Sequence, residues 1–229
     1  MAEDLKNALE RVYQNASIID SYHLLPKGSM PLRDMVKFDF LQFIAFLSFS
    51  DGSNMREELD FIKTYLGYDF DVARLNRFKY ERTGGKDFIN TPPRSLTYFV
   101  EADVSPSLTP EQRAAKRAKP LVDAFKLLGQ SFVACDNESS QVEIANLTNY
   151  SIMLDNYLKK YNLYKKDKND PIANIAEKAG IDGKTGSMSD PVCRRTGHAD
   201  SRPPSRLPPR RPRTPSRYRS PFHAPVPAP

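Results

Sequence analysis

Four acidic side chains stand in a pattern that could do chemistry. Asp51 is followed seven residues later by Glu58, and 85 residues further on Asp136 is followed seven residues later by Glu143. With Glu57 and Asp60, the first pair puts several hard oxygen donors around one turn, which suits Mg²⁺ or Ca²⁺. The segment is not an EF-hand loop, because the third and fifth positions are not acidic and no Glu stands at the twelfth. The same residues have a structural use. An Asp at the end of one helix caps the next, and a Glu in a first turn favours the helix dipole. Capping, a divalent metal held by Asp51, Glu58, Asp136 and Glu143, and polar contact with a partner all fit the spacing.

Other reactive types are sparse. Three histidines occur, His23, His198 and His223, and His23 has no carboxylate or cysteine at ligand spacing. Cys135 ends an apolar run and precedes Asp136, which would raise its thiol pKa, so it reads as a small hydrophobe rather than a nucleophile. Cys193 stands alone in the C-terminal region, and two such cysteines are the usage of a reducing compartment. Gly183-Lys184-Thr185 supplies the end of a phosphate loop, but Lys178 occupies the place of its first glycine and no buried strand precedes it. No enzyme class emerges, and no catalytic residue or cofactor is expected.

The elements that would position these residues read as helices. Ala2–Asn15 spaces Leu5, Leu9, Val12 and Tyr13 onto one face. A second helix opens near Pro31 and is apolar almost all round from Met35 to Phe49, the pattern of a bundle centre. Lys37, Asp39 and Gln42 argue against a lipid span there. Asn54 with Glu57 fits a capping box for a third helix, closed by Gly67. Asp71 caps a fourth, with Val72, Leu75 and Phe78 inward. Residues 83–93 form a loop, and Ser95–Ala102 is taken as helix because no strand exists to pair with it. Thr109-Pro110-Glu111-Gln112 is a further helix start, and Pro120 kinks or restarts that helix. Leu121–Cys135 and Ser140–Tyr161 follow, then a short helix over Asp170–Ala179.

An offset of 85 residues aligns two helical hairpins, about 35–67 and 120–161. Phe40 then meets Phe125, Phe43 meets Leu128, Leu47 meets Phe132, Leu59 meets Ile144, Ile62 meets Leu147 and Tyr65 meets Tyr150. The expected fold is all-α, a bundle of two related hairpins over residues 1–165; internal duplication and a chance match between amphipathic helices both fit the alignment.

The stretch Leu41–Gly67, "LQFIAFLSFSDGSNMREELDFIKTYLG", resembles the helix-DG-helix unit of tellurite-resistance TerB-like domains. With Phe99–Asp103 and Leu127–Asp136, "LLGQSFVACD", the region Lys37–Tyr161 is similar to the helical part that precedes an AAA ATPase module in some Gram-positive bacterial proteins. In the second copy Asn137 stands where the turn usually has glycine. The resemblance implies a non-catalytic accessory domain that binds a protein partner such as an AAA-type ATPase, metal-linked in some relatives. It also implies a chain cut short before the ATPase.

Charge and composition change after a linker at 166–186. Residues 1–186 hold 25 Lys+Arg against 26 Asp+Glu, whereas 187–229 hold nine Arg, no Lys, two Asp and 11 of the 19 prolines. The net charge of +6 thus comes from the tail, which is too poor in apolar residues to fold. Arg206–Pro212 matches an R-x-x-P-x-x-P pattern. Arg210, Arg211, Arg213, Arg217 and Arg219 near Tyr218 suit sequence-independent nucleic-acid or anionic-surface binding. The abrupt loss of Lys, Ile and Asn is also what a reading-frame slip produces. No apolar run approaches the roughly 18 residues of a membrane span, and no signal-peptide pattern opens the chain, so a cytoplasmic protein without membrane partners is expected.

Overall fold

Two helices are apolar on most of their circumference, and most of the other described helices meet one or both of them. The structure, a computed structural model, describes residues 2–48, 55–83, 88–135 and 141–165. The chain divides into two units, Met1–Lys184 and Thr185–Pro229, and every described residue belongs to the first. The described residues form helices α1 (Ala2–Asp20), α2 (Leu32–Leu47), α3 (Met55–Phe61), α4 (Val72–Thr83), α5 (Arg94–Val104), α6 (Pro110–Ala114), α7 (Ala118–Val133) and α8 (Gln141–Lys160). No strand occurs among them. The expected helix over Asp170–Ala179 and the Asn54 cap lie outside the described residues.

Helix α2 buries Leu32, Met35, Val36, Phe40, Leu41, Phe43, Ile44, Ala45 and Leu47. It can do so because α1, α4, α5, α7 and α8 all pack against it. Helix α7 is the second centre, meeting α1, α2, α5 and α8. The pattern is reciprocal: α1 packs on α2 and α7, α5 packs on α7 and α2, α1 meets α5, and α2 meets α7. Close approach of α7 to its neighbours depends on Gly129. A Cβ there would stand 2.5 Å from Leu147 Cδ1 and 3.0 Å from the Phe43 ring.

Several sequence expectations are modified. Helix α1 runs five residues past Asn15, because Ala16 and Ile19 continue its buried stripe. Val72 is 43% exposed rather than inward; it is the first residue of α4, before the helix has turned its Leu75 face to the core. Of the two expectations at Pro120, a kink or a restart, the structure has a restart. Helix α6 ends at Ala114, Lys116 takes a positive φ of 44°, and α7 begins with Pro120 in its first turn, where its missing N–H costs nothing. The third helix continues into a π-helical turn, Ile62–Leu66, that periodicity did not foretell. Gly67 closes it in the left-handed conformation (φ 76°) that glycine adopts without strain.

Three helices begin without a capping side chain of their own. The residues before α2, α5 and α7 are Pro31, Pro93 and Arg117, and none offers an acceptor. Carboxylates from other helices fill the place. Asp20, the last residue of α1, accepts from Leu32 N–H at 3.1 and 3.0 Å. Asp39, in mid-α2, accepts from Ser95 N–H at 2.7 Å. Asp103, near the end of α5, accepts from Arg117 N–H at 2.9 Å and Ala118 N–H at 2.8 Å. Each bond ties one helix end to another element and satisfies donors that the helix cannot.

Candidate functional site

Of the four acidic residues singled out by spacing, Glu58 and Glu143 are described and both are buried, 6% and 3% exposed. Each is engaged in interactions within the fold. Asp51 and Asp136 lie outside the described residues, as do the five tail arginines, Cys193, His198, His223 and Gly183–Thr185. Among the described residues no group of three or more His, Cys, Asp or Glu is placed to hold a metal ion. His23 is exposed, in a turn with φ 55°.

An open groove of about 520 Å³ lies between α3 with its π-helical turn and the C-terminal end of α7. One wall carries Glu57, Asp60, Phe61, Thr64 and Tyr65, which at spacing i, i+3, i+4, i+7 and i+8 share one helical face. The other carries Ser131, Ala134 and Cys135, again at i, i+3 and i+4. Phe61 and Tyr65 lie with ring centroids 4.6 Å apart, and Phe61 meets Phe132 edge to face at 5.4 Å. The Ser131 hydroxyl oxygen is buried without a hydrogen-bond partner. Exposed Glu57 and Asp60 make the rim acidic. Cys135, half-buried, is part of this wall.

A smaller concavity of about 240 Å³ lies between α2, α8 and the segment entering α5. Asp39, Gln42, Phe88, Arg94 and Tyr150 line it. Burial pushes the Asp39 carboxyl above its usual range, against hydrogen bonding from Ser95 and the positive charge of Arg94. The Ser95 hydroxyl lies close enough to favour the carboxylate, yet it has no partner in good hydrogen-bond geometry. Burial, helped by the Asp39 charge, raises the Tyr150 phenol well above its ordinary value. The Tyr150 ring is held between Phe43 (4.6 Å, 20° between planes) and Phe88 (5.6 Å, 8°).

Asp103 is also pushed up by burial, opposed by the two N–H groups it caps. Its two oxygens meet the N–H groups that open α7.

No protein-family model, curated protein or solved structure matches the chain.

The sequence put Glu57 and Asp60 around one turn and Cys135 apart from them, without placing the three in one groove. It gave no signal for Phe61, Thr64 or Ser131 as wall residues, because only the packing of α3 beside α7 makes these faces adjacent. Asp39 was legible only as a polar interruption in an apolar run. Such an interruption is a fair sign of a buried polar contact, but its partner lies 56 residues away.

No helix among the described residues is long and apolar enough to cross a membrane.

Proposed function

We propose that this chain is a non-catalytic helical adaptor that binds a basic, apolar-anchored segment of a partner protein in the groove between α3 and α7. The observation that carries the reading is the groove's composition: an aromatic wall (Phe61, Tyr65), a buried unpartnered hydroxyl (Ser131), and two exposed carboxylates on the rim (Glu57, Asp60). An apolar anchor would rest against the rings while a Lys or Arg beside it met the carboxylates, the arrangement that gives an interface both affinity and orientation. The π-helical turn at Ile62–Leu66 adds support, since such turns recur at functional positions. The likeness to TerB-like regions makes an AAA-type ATPase module the first partner to try.

The duplicated bundle belongs to the same reading. Its support is the reciprocal packing of α1, α2, α5 and α7 and the alignment of two caps: Leu32 and Arg117, which receive Asp20 and Asp103, are themselves 85 residues apart. The repeating unit is then helix, capping Asp, central helix, partner helix.

Fluorescence anisotropy with labelled peptides tests the adaptor reading. A peptide alternating Leu/Phe with Lys/Arg is expected to bind the full chain, and Glu57→Lys with Asp60→Lys to weaken it about tenfold or more, the loss of about 1.4 kcal/mol. Equal binding of a charge-reversed peptide would sink the proposal.

A further inference from the structure

The geometry points to a separate small-molecule site in the Asp39 cavity, one that takes a small zwitterionic amino acid with its ammonium on the Asp39 carboxylate and its carboxylate on the Arg94 guanidinium. The cavity of about 240 Å³ has room for several waters, each about 30 Å³ in the liquid. It is too small for a peptide segment or a nucleotide, and its polar groups are not distributed evenly.

The floor is rich in acceptors. Asp39 is 6% exposed, and only Oδ2 is engaged by Ser95 N–H, at 2.7 Å. A carboxylate offers about four lone-pair directions, so capacity remains for a second donor. Gln42 stands one turn along α2 from Asp39, on the same face, and lines the cavity together with Tyr150. At the rim is Arg94, exposed, whose guanidinium makes no hydrogen bond or ion pair among the described residues. Phe88, stacked on Tyr150, and Pro93 supply an apolar wall.

A ligand for this cavity needs a donor at its inner end and an acceptor at its outer end, with little bulk between. A simple anion would meet the Asp39 charge at the floor. A bare divalent cation would find a single carboxylate where six or more oxygens are wanted. An α-amino acid satisfies both ends, and its ammonium would offset the cost of a buried carboxylate, which is high when unpaired. Burial is what raises the Asp39 pKa, and an ammonium entering the cavity would favour the charged carboxylate.

Two-dimensional NMR on the full chain tests this with glycine, L-alanine, L-serine and L-threonine as probes. Ethanolamine and 3-hydroxypropionate serve as analogues of serine lacking one charged end each. At least one amino acid is expected to move the Gln42, Arg94 and Ser95 amides saturably, and serine to bind about tenfold more tightly than either analogue. Asp39→Asn keeps an acceptor for Ser95 N–H, so the fold persists while binding is lost. Arg94→Gln, at an exposed position, removes the preference for serine over ethanolamine. Absence of saturable shifts for all four amino acids at about 10 mM, a weaker interaction than about −3 kcal/mol, overturns the proposal. So do shifts that survive Asp39→Asn.

Discussion

Phe40 and Phe125, one from each central helix and 85 residues apart in sequence, meet edge to face with their ring centroids 4.5 Å apart. Both are fully buried. In the proposed duplication these two rings are counterparts, and this contact is where the two copies would join. Replacing either ring by alanine is expected to cost about 3–5 kcal/mol. Because the two share one cavity, the double variant should fall short of the sum by about 1 kcal/mol or more. Urea unfolding of the four proteins measures the coupling, and strict additivity would show that the contact carries no energy of its own.

The long-range caps predict a pH dependence of stability. Asp39 and Asp103 have higher pKa values in the folded chain than the unfolded value near 3.8. The folded protein therefore holds these protons more tightly, and their contribution to stability is fullest below the unfolded pKa and declines as pH rises through the folded one. Asp39→Asn and Asp103→Asn retain an acceptor for the helix N–H groups and remove the buried charge. Thermal melts from about pH 4 to about pH 7 should show wild type losing ground to both variants. Asp103→Ala, by contrast, leaves Arg117 and Ala118 uncapped and should lose about 1–2 kcal/mol. A wild type that gained on both Asn variants with rising pH would reverse the assignment.

Helices α7 and α8 are joined by the ion pair Lys126–Asp155, with the nitrogen and oxygen 2.8 Å apart and side chains 7% and 15% exposed. Removing one partner takes this bond from a buried charge. Lys126→Met is expected to cost about 3 kcal/mol, and Lys126→Met with Asp155→Leu to recover most of it. Guanidinium unfolding of the cycle decides: a double variant as unstable as the single one would mean that both charges make further essential bonds.

Gly129→Ala would gain about 1 kcal/mol of helix propensity. The added methyl must displace Leu147 Cδ1 and press on the Phe43 ring, itself stacked on Tyr150. Overpacking of this kind costs about 1–3 kcal/mol, so a net loss is expected, larger still for Gly129→Val. A stabilised Gly129→Ala protein would show that Leu147 moves aside freely.

Local patterns carried much of the helical reading. The Thr109–Gln112 capping box forms as spaced, with reciprocal bonds at 2.9 and 3.3 Å. Asp71 accepts from Arg74 N–H at 2.7 Å, and the apolar circumference of α2 marks it as central. These features depend on residues a few positions apart, whose geometry the helix itself sets. Tertiary structure decided the rest. Pro31, Pro93 and Arg117 leave their helices uncapped, and the chain alone does not say which distant Asp will answer. Asp20, Asp39 and Asp103 do so because packing brings them to those helix ends, across 12, 56 and 14 residues. The groove and the Asp39 cavity have the same origin, since each joins side chains from elements far apart in sequence. Periodicity records which face of a helix is turned inward; only close packing in three dimensions settles what that face meets.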